Sequence, residues 1–215
     1  MLSRRHGVER KRARVVHRLT TAPTGLAVSV ADAKRYSGVS VSDDDAMIED
    51  IIRESTQVIE NRYQFAVMEQ TWQLTLNGGW TDADYWRANA IHIPRPPFGA
   101  VSSIVYLDSA GDSQTLAATE YRVNAAPLVA TIEVAKQKTW PTTYGVSADV
   151  TITHTCGASA PGDVPYCVRA AVRDLTDYRY STRGQGFQEV NTIISRGILT
   201  QLDTLLAGEG IVLYG

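Results

Sequence analysis

The sequence predicts an α+β protein: a helical bundle core, made of two N-terminal and two C-terminal helices, with an inserted antiparallel β module. Two periodicities and one absence predict it. Apolar residues recur at three- and four-residue steps over residues 29–63 and 164–207, as a buried helix face requires. They recur at two-residue steps between residues 70 and 156, as half-buried strands require. No apolar run approaches the ~18 residues of a membrane span. With 44% hydrophobic and 20% charged residues among 215, the balance is that of an ordinary globular chain. The expected division is a basic arm over residues 1–19, a main domain over 20–207 and an apolar tail over 208–215.

After the arm, Thr20 to Leu26 holds Pro23 and Gly25 and reads as an extended linker. Ser29, with Asp32 three residues on, has the pattern of a capping box, so a short helix is expected to begin there and to stop at Gly38. Ser42 before Asp43-Asp44-Asp45 predicts a second helix start, because a hydroxyl cap and carboxylates favour the positive end of the helix dipole. Ile48, Ile51, Ile52, Ser55, Val58 and Ile59 then mark one buried face running to about Tyr63.

The period changes near residue 70. Trp72, Leu74 and Leu76 alternate with Gln73 and Thr75 before Asn77-Gly78-Gly79 breaks the run. Ile91-His92-Ile93, Val101 to Leu107, Tyr121-Arg122-Val123, Thr131 to Val134 and Val150 to His154 repeat the strand signal, with a turn cluster at Asp108 to Asp112. Asp163 and Pro165 introduce a third helix with Val168, Ala171, Val172, Leu175 and Tyr178 on one stripe. After the small and polar run Ser181 to Gly186, Ile193, Ile194, Ile198, Leu199, Leu202, Leu205 and Leu206 predict a fourth. The first helices lack a partner until the last ones return, so one structural unit is expected.

The net charge of −2 conceals a division. Residues 1–18 carry seven Lys/Arg and one acid, a net +6, and the other 197 residues stand at −8. The arm has no interleaved aromatics to stack bases. It reads either as a sequence-independent phosphate binder or as an arm that meets an acidic protein surface. No secretory h-region is present, and the Arg-rich, acid-poor start imitates a mitochondrial transit peptide but has few hydroxyl residues and little apolar periodicity, so a cytoplasmic setting is the one expected, with Cys156 and Cys167 as reduced thiols.

The search for chemistry predicts no enzyme and no cofactor. His6, His17, His92 and His154 include no pair at ligand spacing, so no metal site is expected, and His92 and His154 read as satisfied sheet residues. Asp43-Asp44-Asp45 reads as a charged helix start rather than a metal site. No Gly-rich phosphate loop follows a strand, and no Gly-x-Ser-x-Gly elbow occurs.

Several strings in order resemble one family. They are Val28 to Lys34, Asp43 to Ile48, Gln70-Thr71-Trp72-Gln73-Leu74, Ile93-Pro94-Arg95-Pro96-Pro97, Val101 to Asp108, Tyr121-Arg122-Val123, Trp140-Pro141, and Val164-Pro165 with Ala170-Ala171-Val172. Together, over about residues 20–180, they resemble the head-tail connector (adaptor) proteins of tailed phages and prophages, in the group with a β insertion between helices.

The resemblance implies a structural protein of a phage or phage-like virion, assembled in the bacterial cytoplasm and sited at the head-tail junction. It would form a ring, usually of twelve copies, beneath the portal protein. A stopper or tail terminator would lie on its tail side, and double-stranded DNA would pass through its channel; no membrane is involved. The expected portal or capsid contacts are Arg4, Arg5, Arg10, Lys11, Arg12 and Arg14 of the arm and Ile211, Val212, Leu213 and Tyr214 of the tail. The tail segment either folds back on its own body or adds to a partner's sheet edge. The alternative function is nucleic-acid binding through the arm.

Overall fold

Three helices and nine strands build the described part of the chain, which in this computed structural model comprises residues 16–81, 86–87, 89–125 and 130–183. The helices form one layer. Helix α1 (Val30–Ser37) starts where the sequence places it: the Ser29 hydroxyl accepts from the Asp32 amide at 3.1 Å, and Gly38 closes the helix in the left-handed region at φ 69°. Losing such a cap costs about 1 kcal/mol, so Ser29→Ala is expected to lower the unfolding free energy by that amount, read as a lower urea midpoint with an unchanged slope.

Helix α2 (Asp45–Tyr63) buries Ile48, Ile52, Ser55, Thr56 and Ile59 on one face. Its start differs from the expectation. Asp44, not Ser42, is the cap residue, and it makes no side-chain cap bond. The acidic triplet instead ties helices together: Asp44 accepts from the Tyr180 hydroxyl and lies 3.6 Å from Arg183, while Asp45 pairs with Lys34. Helix α3 (Tyr166–Ser181) follows Pro165 and lays Val168, Ala171, Val172 and Leu175 against α2.

The strands form two antiparallel sheets. The first has the order β1-β2-β9-β5-β6, from β1 (Val16–Thr21), β2 (Gln70–Leu76), β9 (Val150–Cys156), β5 (Phe98–Leu107) and β6 (Ser113–Thr115). The second has the order β3-β4-β8-β7, from β3 (Trp86–Arg87), β4 (Ala90–Ile93), β8 (Ala130–Val134) and β7 (Tyr121–Ala125). Alternation in β2 and β9 is strict, every second side chain being buried. Leu74, Leu76, Ile104, Val150 and Ile152 of the first sheet share a core with Ile91, Ile93 and Ile132 of the second. Each such side chain contributes roughly 1.5–3 kcal/mol of burial free energy.

The helical bundle core is therefore a misreading. The described residues hold three α-helices rather than a two-plus-two bundle, and most of their regular elements are strands. Among the described residues, the apolar stripes of α2 and α3 are covered by each other, by α1 and by irregular chain that contributes Ala27, Val28, Phe65, Val67, Met68 and Val164. The expected fourth helix, Ile193 to Leu206, lies outside the described residues. Residues 16–21, divided in the sequence reading between arm and linker, form the edge strand β1 through their pairing with β2.

Candidate assembly surfaces and the junction behind them

A buried polar chain joins the helical layer to the first sheet. Glu60, at the end of α2, accepts from the Val67 amide and from Gln70 Nε2, both at 2.7 Å. Gln70 Oε1 in turn accepts from Trp72 Nε1 at 2.9 Å. The Trp72 ring then meets a neutral and a charged partner: the His17 imidazole of β1 stacks on it at 4.5 Å, and the Arg95 guanidinium lies 4.1 Å from its centroid. Beyond Trp72, the Nε2 atoms of His17 and His154 approach to 3.2 Å, so one neutral ring donates to the other.

Burial sets the electrostatics of this junction. It pushes the Glu60 carboxyl above its ordinary range, opposed by the Val67 and Gln70 hydrogen bonds. It pulls His17 down to about 3, helped by His154 and Arg95, and His154 down to about 4, opposed only by a backbone contact at Thr155. The Cys156 thiol is pushed up to about 12, again chiefly by burial, which makes it a poor nucleophile and a poor ligand. Cys156 and Cys167 are both buried and unbridged. The Glu60–Gln70 bond ties α2 to β2, and the contact between the neutral His17 and His154 imidazoles ties β1 to β9 of the same sheet. Among the described residues, no three His, Cys, Asp or Glu side chains stand together as a metal site.

The surface is more varied than the interior. Large hydrophobic side chains stand exposed at Tyr36, Val41, Met47 and Tyr166 on the helical layer, at Leu19 on β1, and at Tyr144 and Val146 in the loop before β9. Strand β1 is also the edge of its sheet, with one side of its backbone unpaired among the described strands. His92 is half-buried in β4, opposite Thr131. The site residues expected from the sequence, Arg4, Arg5, Arg10, Lys11, Arg12, Arg14, Ile211, Val212, Leu213 and Tyr214, all lie outside the described residues. The sequence reading missed the exposed tyrosines and the arginines beside them because its helical stripes mark what is buried, not what neighbouring helices leave uncovered.

Comparisons with known proteins place the fold. No family model matches the sequence, and no curated protein matches it. Among solved structures, the chain is similar to one in a structure described as "Virion of native gene transfer agent (GTA) particle". The TM-score there is 0.68 at 22% identity, over 93% of this chain and 98% of that one. It is also similar to chains of the "Neck of empty GTA particle computed with C6 symmetry", at TM-score 0.65 and 20% identity over 88% of this chain and 94% of that one. A third likeness is to the "Neck of native GTA particle computed with C12 symmetry", at TM-score 0.65 and 21% identity over the same 88% and 94%. At these identities the likeness establishes a shared fold.

Proposed function

We propose that the chain is a structural neck component of a tailed phage or phage-like particle, a head-tail connector that forms a ring beneath the portal. One observation carries this reading: the chain shares its fold, over about nine-tenths of both partners, with chains of gene-transfer-agent necks, one of them computed with C12 symmetry. The ordered strings that resemble connector proteins point the same way.

The charge division fits the role. Twelve bodies at −8 each bring 96 formal negative charges around a channel, which disfavours adhesion of the phosphate backbone as DNA passes. The basic arm, Arg4 to Arg14, then belongs on an acidic portal or capsid surface, and Ile211 to Tyr214 on a sheet edge of a partner. The neighbour on the tail side would be a stopper or terminator protein.

The test is deletion of the gene from a particle-producing strain. DNA-filled heads without tails are the expected product in micrographs, and intact tailed particles would overturn the reading. Deletion of residues 1–15 alone separates the arm's two roles: loss of portal binding is expected, whereas loss of a steeply salt-dependent DNA affinity with portal binding intact would favour the nucleic-acid alternative.

A further inference from the structure

The helical part presents two surfaces of opposite character, one on the α3 side of α1 and one at the start of α2. Lys34 and Tyr36 are two residues apart on that helix, so their side chains diverge by about 200°. Lys34 reaches Asp45 at the start of α2, while Tyr36 lies under Arg173 of α3, with 4.5 Å from guanidinium to ring centroid.

On the α3 flank, the Leu26–Val30 segment, α1 and the first turns of α3 enclose a groove of about 540 Å³. Its floor is apolar, with Leu26, Val28 and Ala170, and its wall carries Tyr166, Arg169 and Arg173. Tyr166 is 71% exposed and Tyr36 50%. Arg35 in the same wall is taken by Asp32, and Tyr36 bonds to Asp174. Arg169 and Arg173 form no ion pair with a described carboxylate, and the Nε of each is buried without a hydrogen-bond partner. Exposed tyrosine beside unpaired arginine over an apolar floor is the composition of interface hot spots rather than of a solvated face.

On the α2 flank, the corner that leads into the helix shows the complementary set. Val41 is 56% exposed and Met47 37%. Asp43 and Asp50 are exposed in the same stretch of chain with no ion pair to a described cation, Asp50 at the rim of a second groove that also holds Leu19, Pro23 and Leu26, while Arg53 is held by Glu49. Each surface carries two charges without an ion pair next to two exposed apolar or aromatic side chains, and the signs are opposite, with the Asp174 and Asp177 carboxylates also acting on Tyr36 on the groove side. A ring needs such a heterologous pair, since every copy must offer one face to a different face of its neighbour.

We propose that the groove of one copy receives the Val41–Asp50 corner of the next. Asp43 and Asp50 pair with Arg169 and Arg173, and Val41 and Met47 rest against Tyr36 and Tyr166. The occupant is thus a second copy of this chain; the inference rests on the ring reading and names its contact.

The test uses charge reversal in the full chain, with sedimentation and micrographs as readouts. R169E/R173E and D43K/D50K are each expected to weaken self-association by about a hundredfold or more, with melting temperatures unchanged for D43K/D50K, whose side chains are exposed. Mixing the two variants is expected to restore assembly, because the unchanged corner of one fits the unchanged groove of the other and the two reversed faces also match. That rescue cannot arise from misfolded protein. Wild-type rings with both variants assembling normally would overturn this contact and leave the ring reading standing. Variants that assemble but no longer bind portal, or no longer bind an anionic peptide or DNA, would assign the groove to that other occupant. A wild-type chain that is monomeric at its highest soluble concentration would overturn the contact, while the neck reading would still be decided separately by the gene deletion.

Discussion

Replacement of Gly157 by alanine is expected to cost about 4 kcal/mol or more, most of the stability of a domain near the lower end of the ordinary range of about 5–15 kcal/mol. Gly157 has φ 95°, a region alanine rarely adopts, and the added Cβ would sit 2.1 Å from the Met68 carbonyl oxygen, 2.4 Å from its carbon and 2.9 Å from the Glu69 nitrogen. All three are backbone atoms, so no side chain can swing aside. The segment is also fastened where the clash would fall. The Gly157 amide donates to Pro97 O at 2.9 Å, Ala158 N to Val67 O at 3.1 Å, and Glu69 N to Ala158 O at 2.8 Å. Chain leaving β9 is bridged here to the chain that runs from α2 into β2, through Met68 and Ala158, so relief of the clash must break these backbone bonds at the crossing point of the two connections. Gly162→Ala is the control, because nothing lies within 4 Å of its added Cβ and its φ is not positive. Urea unfolding of both variants is the measurement. A shift below about 1 kcal/mol for Gly157→Ala would show that the crossing is looser than its geometry implies.

That crossing explains which parts of the structure the sequence discloses. Local signals succeed where the cause is local: Ser29 caps α1, Gly38 ends it, the Ile48–Ile52–Ile59 stripe makes α2, and the Trp72–Leu74–Leu76 alternation makes β2. Where the cause is a distant partner, they fail. Val16–Thr21 carries His17 and Arg18 and looks like the end of a basic arm, and only its register against β2 makes it a strand. Asp44 and Asp45 are fully explained as helix-start charges, so nothing local announces that they bind Tyr180 and Lys34. Arg95 lies in a Pro-rich run that reads as a loop, yet it is buried against Trp72. The helical bundle fails as an expectation for a related reason. Periodicity shows that a helix has a face to cover and leaves open what covers it, and here irregular chain around Ala27 and Phe65 does so. The groove beside Tyr166 needs α1 and α3 side by side, a juxtaposition across more than a hundred residues.

The second large effect concerns acid. Stability is expected to fall steeply as pH drops from about 6.5 towards 4, because His17 and His154 are held neutral in the fold and charge freely when it opens. Each folded-state value is depressed, to about 3 for His17 and about 4 for His154, against about 6.5 for the open chain. Their stabilising contribution is therefore complete above pH 6.5 and is lost as pH falls through that window towards the folded values. Shifts of this size correspond to about 8 kcal/mol as a ceiling. The two share their mutual repulsion, and His17 is only half-buried, so about 4 kcal/mol is the expected loss. Glu60 acts in the opposite sense: burial raises its folded value, so its protonation favours the fold as pH falls and offsets part of the loss. The measurement is the urea midpoint at intervals from pH 7.5 to 4.5, for the wild type and for a His17→Leu/His154→Leu variant. Wild-type stability should decline with a slope approaching two protons, while the double variant, with no imidazole at the junction, should stay nearly level. Equal slopes for the two proteins would locate the acid sensitivity elsewhere and would remove the histidine pair as the lock between β1 and the rest of its sheet.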